Sequence, residues 1–214
     1  MNPFRAILDI IFPKNCISCS CGGYMLCPNC IDKISQPFEQ LQPWIISLFK
    51  YRDPIIRKAV WVLKYRGSHS IASDLAPYLH DEIINFLGES MLMEKEKVVL
   101  IPIPLTNKKY RERGFNQTEI LAKEIWKENI DFFELNSISL IKTKETEPQA
   151  KIKQKSKRLK NMHGVFSIKK SELIKGKTII LVDDITTTGA TLSEARKVLR
   201  KAGAKKVFAV TVGH

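Results

Sequence analysis

The segment "TIILVDD", residues 178 to 184, sets four consecutive large apolar side chains ahead of two adjacent carboxylates. An apolar run without polar alternation has to be covered on both faces, as a central strand of a parallel sheet is by flanking helices. A second such run, "VVLIPIP" at residues 98 to 104, follows Lys97 and closes on Pro104. Around these runs the periodicity turns helical. "DPIIRKAVWVLKYRG" sets Ile55, Ile56, Ala59, Val60 and Leu63 at helical spacing, with Gly67 after its end. Residues 70 to 87 repeat that pattern. Residues 105 to 129 divide into a polar, basic loop and a helix that Asn116 and Glu119 open at capping-box spacing. "SISLIKT" and "KKVFAVTV" read as further strands, and Leu192, Ala195, Val198, Leu199 and Ala202 line one face of a helix that Gly203 ends. Strands alternating with helices predict an α/β fold with a parallel, doubly wound sheet.

Two ionised acids at the end of an apolar strand cost solvation energy unless polar or cationic partners meet them. In a sheet of this kind ligands sit beyond the carboxyl ends of the strands, which is where Asp183 and Asp184 fall. The turn that follows, Thr186 to Thr191, leads into a helix, and Gly189 permits close backbone approach. Free N–H groups and the positive end of the helix dipole make such a turn a phosphate cradle, to which the hydroxyls of Thr186, Thr187, Thr188 and Thr191 add donors. Paired carboxylates just before it suit the vicinal hydroxyls of a sugar. "GKT" at residues 176 to 178 resembles the end of a Walker loop, but Ser171 stands where the first glycine belongs and the segment precedes its strand. A nucleoside triphosphatase loop is therefore excluded.

All five cysteines fall in "CISCSCGGYMLCPNC", residues 16 to 30. Cys16 with Cys19, and Cys27 with Cys30, have the paired-turn spacing of a structural Zn²⁺ site, and Gly22 and Gly23 let the chain fold back between them. Cys21 is a fifth thiol, either a replacement for Cys19 or a free side chain. The odd count and a reducing compartment disfavour a disulfide framework. The knuckle is expected to be a folding staple, with a partner surface as the lesser alternative. Pro37 and Pro43 punctuate its exit, which sets the expected division at residues 1–45, with an N-terminal helix and the knuckle, and residues 46–214.

No stretch approaches the ~18–20 apolar residues that span a bilayer. "MNPFRAILDIIF" reads as a short amphipathic helix packed on the protein's own body, and a cytoplasmic location is expected. The net charge of +13 favours polyanionic partners, nucleic acid and phosphorylated metabolites among them. Residues 142 to 161 are too polar and basic to pack a core and read as a mobile loop.

"IILVDDITTTGAT" closely resembles the thirteen-residue phosphoribosyl-pyrophosphate (PRPP) signature of type I phosphoribosyltransferases. "CISC…CPNC", "PIPLTNKKYRERGFNQ" and "PQAKIKQKSKRLKNMHGVF" narrow the resemblance to the ComF family of competence-associated proteins, across nearly the whole chain. The resemblance implies the doubly wound sheet of that enzyme class with a small N-terminal zinc knuckle. It places Asp183 and Asp184 on the ribose hydroxyls as the catalytic pair, and Thr186, Thr187, Thr188, Gly189, Ala190 and Thr191 on the 5′-phosphate. Pro104, Leu105 and Thr106, on to Lys109, form the pyrophosphate loop, with Arg111, Arg113, Asn116 and Gln117 close by. The basic stretch becomes a hood over PRPP, carrying Gln149, Arg158 and Asn161, and Mg²⁺ accompanies the pyrophosphate. Two functions follow from the resemblance. One is phosphoribosyl transfer in natural competence and DNA uptake, to an acceptor the sequence does not name. The other is a non-catalytic PRPP sensor or single-stranded-DNA adaptor among competence-machinery proteins, which the +13 charge favours.

Overall fold

The computed structural model describes residues 14–37, 40–88, 96–144 and 164–214. Its strands are β1 (Ile45–Phe49), β2 (Val98–Pro102), β3 (Phe133–Leu135), β4 (Leu140–Lys142), β5 (Phe166–Ile168), β6 (Thr178–Ile185) and β7 (Lys206–Gly213). The helices are α1 (Pro28–Ile31), α2 (Pro54–Arg66), α3 (His69–Leu87), α4 (Asn107–Arg113), α5 (Gln117–Glu128) and α6 (Ala190–Lys201). Five strands form one sheet in the order β1-β7-β6-β2-β3, and every pair is parallel. The antiparallel pair β4 and β5 stands apart from it.

Alternate side chains of the central strands divide between two cores, as double winding requires. Leu100, Ile180, Val182 and Val210 face α2, α3 and α5, where Ile56, Leu63, Leu75, Leu79, Leu121 and Ile125 are buried. Val99, Ile101, Ile179, Leu181 and Ala209 face the other way, onto Leu192, Ala195 and Leu199 of α6 and onto Leu140 and Phe166. Burying each large aliphatic side chain contributes about 1.5–3 kcal/mol. β6 is central and buried on both faces, as its unbroken apolar run requires. The register pairs Pro102 with Val182, so the chain leaves β2 and β6 side by side at one edge of the sheet.

The helix ends follow local chemistry. The Asp53 carboxylate accepts from the N–H groups of Ile55 and Ile56, Pro54 occupies the first turn of α2, and Gly67 ends the helix at φ 57°. The Asn116 side chain caps α5 through Thr118 N, as the sequence leads one to expect. The basic segment after β2 is not a loop, however. It is α4, with Thr106 Oγ1 accepting from Lys109 N and Gly114 ending the helix at φ 81°. None of its residues is buried, so it has no apolar stripe to reveal it and two caps define it instead.

The cysteine knuckle is seated on α2 and α3. Cys16, Leu26, Cys27, Cys30 and Ile31 join the first core. The Asp74 carboxylate accepts from Met25 N and Leu26 N at 2.8 and 2.9 Å, and Lys58 Nζ donates to the Ile17 carbonyl at 2.7 Å. Among the described residues no helix is long and apolar enough to cross a membrane. The expected N-terminal helix and the hood positions Gln149, Arg158 and Asn161 lie outside the described residues.

Candidate functional site

β6 carries two acids into its last turn of backbone, with Asp183 9% and Asp184 3% exposed. Each carboxylate folds back on the chain: Asp183 Oδ1 accepts from Asp184 N at 2.9 Å, and Asp184 Oδ1 from Ile185 N at 2.7 Å. The second oxygen of Asp184 gathers two other elements. Gln117 Nε2 of α5 donates to it at 3.0 Å, and Lys64 Nζ of α2 lies 3.2 Å away. Arg113 Nη1 in turn donates to Gln117 Oε1. Asp184 is thus held by an ammonium and an amide, whereas among the described residues Asp183 forms no ion pair. Burial first, and then the Asp184 charge, push Asp183 up to about 7, against the opposing pull of Lys64.

A cavity of about 410 Å³ opens above the pair. Asp183, Asp184 and Ile185 form its floor. Pro104, Leu105 and Lys109 make one wall; Arg113, Gln117 and Thr118 make the next; Tyr51, Lys64 and Tyr65 close the side toward α2. Lys142 reaches in from β4, and Thr187 and Thr191 stand at the rim. Burial, and then Lys109, pull the Lys142 ammonium below the usual lysine range. The site is therefore acidic at its floor and cationic on the walls above.

The threonines of the turn divide their work. Thr186 Oγ1 accepts from Gly189 N at 3.2 Å and Thr188 Oγ1 from Ala190 N at 3.4 Å, so these two hold the turn in shape. Thr187 and Thr191 face the cavity. Gly189 sits at φ 71°, and a Cβ there would lie 3.2 Å from Ile45 Cδ1 and 3.4 Å from Leu41 Cδ2. The turn therefore requires glycine twice, for its backbone and for its neighbours. With Gly189 as N-cap, α6 begins at the cavity rim and turns its N-terminal end toward it.

Of the residues the sequence singles out, Pro104, Leu105, Lys109, Arg113, Gln117, Asp183, Asp184, Thr187 and Thr191 line the cavity. Thr106 and Asn116 are buried caps of α4 and α5, and the Asn116 amide also donates to the Ile103 carbonyl at 3.2 Å. Arg111 is exposed on α4 and does not line the cavity. Sequence reasoning misses Tyr51, Lys64 and Tyr65, whereas Lys142 is the first residue of the basic stretch it assigns to the hood. Lys64 has only the ordinary signal of a cation in the last turn of a helix.

In the knuckle, the Sγ atoms of Cys16, Cys19, Cys21 and Cys27 lie within 4.8 Å of one another. The Cys19–Cys27 separation is 3.6 Å, close to the ~3.8 Å edge of a tetrahedron with Zn–S bonds of about 2.3 Å. Cys30 is buried against the same group and interacts with the thiols of Cys27, Cys19 and Cys16. Cys21 thus enters the cluster as a full member. Burial would push the Cys16 thiol up, but N–H groups of Cys19, Cys27 and Ser18 outweigh it and hold the thiol near 6. All five thiols are free, and the donor set fits a thiophilic tetrahedral ion.

Comparisons with known proteins identify the family. Residues 111–213 match the phosphoribosyl transferase domain family. The chain is 27% identical over 219 residues to Competence protein ComFC of Streptococcus pneumoniae, covering 95% of this chain and 90% of that protein. It is 25% identical over 191 residues to DNA utilization protein YhgH of Salmonella typhimurium, covering 85% and 81% of the two chains. With Competence protein F of Haemophilus influenzae the identity reaches 34% over 187 residues, across 85% of this chain and 75% of that one. At that identity and coverage, and with this sheet and this domain match, the chain belongs to the ComF family of competence-related proteins with a type I phosphoribosyltransferase-like domain.

Proposed function

We propose that the cavity binds PRPP as its Mg²⁺ complex and that the chain transfers the phosphoribosyl group to an acceptor with release of pyrophosphate. The observation that carries this reading is the polarity of the cavity: a buried acid pair at the end of β6, with Lys109, Arg113 and Lys142 on the walls above it. Asp183 and Asp184 accept from the ribose hydroxyls. Lys64 and Gln117 keep Asp184 in place for that role. Thr187, Thr191 and the α6 N-terminus take the 5′-phosphate. Lys109, Arg113 and Lys142 face the pyrophosphate, whose charge grows as its bond to the anomeric carbon breaks. Mg²⁺ bound to the pyrophosphate would neutralise part of that charge. In the transfer, a nucleophilic atom of the acceptor bonds to the anomeric carbon. Pyrophosphate leaves with the electron pair of the broken C–O bond, and the acceptor's proton passes to solvent.

We also propose that residues 1–45 form a zinc-stapled unit beside a 46–214 domain, a division supported by the cysteine knuckle's seat on α2 and α3. Cys16, Cys19 and Cys27, with Cys21 or Cys30 as the fourth thiolate, would hold the ion. Protein purified without chelator should contain close to one zinc per chain, and a fully folded metal-free protein rules the staple out.

Calorimetry with Mg²⁺·PRPP tests the cavity. Wild-type protein should bind, Asp183→Ala and Asp184→Ala should lose affinity, and unchanged binding in both variants overturns the assignment. Pyrophosphate release across a panel of bases separates the two functional readings. A transferase is stimulated by one of them, whereas a sensor binds PRPP and releases none.

A further inference from the structure

A tetrahedral ion takes four thiolates, and the knuckle gathers five thiols. Cys21 and Cys30 are the two candidates for the fourth position, so either filling leaves one thiol over. The five differ in their access to solvent. Cys16, Cys27 and Cys30 are buried in the first core at 3%, 4% and 7% exposure, whereas Cys19 and Cys21 are exposed. The solvent side of the cluster is therefore a pair of thiols two residues apart.

The chain between them is folded back on itself. Ser20 takes a left-handed backbone at φ 64°, which is uncommon for a residue with a Cβ. Ser20 N donates to the Cys16 carbonyl at 2.9 Å and Cys16 N to the Cys21 carbonyl at 2.8 Å, which closes the turn. Across it the Cys19 and Cys21 Sγ atoms lie no more than 4.8 Å apart. Cα atoms two residues apart in a turn fall within the roughly 4.4–6.8 Å that a disulfide spans, and side-chain rotation can bring the sulfurs together. Either filling of the fourth position then ends in the same state. With Cys19 joined to Cys21, only Cys16, Cys27 and Cys30 are left for the ion, one thiolate short of a closed structural site.

We propose that Cys19 and Cys21 form an oxidative modification site, at which a hydroperoxide joins the two sulfurs and opens the zinc site. The Cys21 thiolate attacks one peroxide oxygen; the O–O bond breaks, hydroxide leaves, and the sulfur becomes a sulfenic acid. The Cys19 thiolate leaves the ion and attacks that sulfur; the S–O bond breaks and a second hydroxide leaves. The two sulfurs give up two electrons and the peroxide accepts them. The effect reaches past the ion. Cys16, Leu26, Cys27, Cys30 and Ile31 belong to the core shared with α2 and α3, and Lys58 of α2 donates to the Ile17 carbonyl beside the cluster. Opening the site loosens this seat, because metal binding and folding of a small knuckle are coupled. The proposal rests on the zinc reading above and is independent of the PRPP reading.

Hydrogen peroxide added to the full chain, purified without chelator, tests it. Zinc is followed with a chromogenic chelator, disulfides by peptide mass mapping, and stability by melting temperature. Wild-type protein should release its zinc, form the Cys19–Cys21 disulfide and melt at lower temperature, and dithiothreitol with added zinc should restore the starting state. Cys21→Ser should keep its zinc and its melting temperature, since Cys16, Cys19, Cys27 and Cys30 remain, and should hold the zinc under peroxide. Release from Cys21→Ser as fast as from the wild type overturns the proposal. So does a Cys21→Ser protein purified without zinc, because Cys21 is then no spare. The disulfide map of the wild type needs no variant, and a bond between any other pair overturns the proposal as well. A zinc-bearing wild type that peroxide leaves intact removes the modification site and leaves the staple standing. A folded wild type without zinc removes both.

Discussion

The cavity above Asp183 and Asp184 is bordered by two regions built on different principles. On one side, the Thr186–Thr191 turn is tied to itself, with Thr186 and Thr188 accepting from Gly189 N and Ala190 N and with Gly189 fitted against Ile45. On the other, α2 offers Lys64 from beside the inner face on which Ile56, Ala59, Val60 and Leu63 hold the helix to the core. In the turn, the contacts that present Thr187 and Thr191 to the cavity also make the fold. On α2 they do not. Changes in the turn should therefore move stability and affinity together, whereas changes at Lys64 should move affinity alone.

Asp184→Ala should have the largest effect. It removes the acceptor of Gln117 Nε2 and Lys64 Nζ and, with them, the charge offered to the ribose. Charge-assisted hydrogen bonds contribute about 1.5–3 kcal/mol each, so Mg²⁺·PRPP affinity by calorimetry should fall by about 100-fold or more. Gly189→Ala comes next, at about 2 kcal/mol of stability. The left-handed backbone at φ 71° costs roughly 1 kcal/mol for a residue with a Cβ, and the 3.2 Å approach to Ile45 Cδ1 adds to it. The urea midpoint should drop and PRPP affinity should drop with it. An affinity loss at full stability would break the comparison at its first term.

The two sides also differ in how far the sequence discloses them. The turn is contiguous with β6, so the apolar run, the acid pair, the threonines and the glycine can be read in one line of text. Tyr51, Lys64 and Tyr65 come to the same cavity from the far side of two parallel crossovers, and no spacing rule connects them to Asp184. Thr106, which the resemblance places in the pyrophosphate loop, acts as a buried cap, and Asn116 acts as the cap that its spacing to Glu119 announces. α4 hides because its residues are all outside the core, and β3 because three residues cannot show a period.

Asp183 refines the comparison through pH. A carboxyl whose folded value is raised from 3.8 to about 7 binds its proton more tightly in the folded state. That contribution to stability is complete below 3.8 and is lost as pH rises through about 7. Asp183→Asn should therefore raise the melting temperature above neutral pH, by about 1–2 kcal/mol of stability, with the gain vanishing toward pH ~4. PRPP affinity should fall at every pH. Wild-type protein should release a proton on binding PRPP near pH 6.5, detectable by calorimetry in buffers of different ionisation enthalpy, because ribose hydroxyls donate to the ionised acid. A melting temperature gap that does not change with pH would sink this account of Asp183.

Lys64→Met gives the smallest effect and the sharpest separation. Methionine keeps most of the apolar stem, and Asp184 still accepts from Gln117 Nε2 and Ile185 N, so the carboxylate is not left unpaired. The Lys64 side chain is 23% exposed, and solvent screens part of its attraction for Asp184. The urea midpoint should therefore shift by less than about 1 kcal/mol, while PRPP affinity falls by up to about tenfold and becomes less sensitive to salt. Losing the Lys64 charge should also push Asp183 higher, because that charge opposes its rise, so the onset of PRPP binding should move to higher pH. If Lys64→Met instead lowers the midpoint as far as Gly189→Ala does, the ammonium is part of the fold, and α2 belongs with the turn.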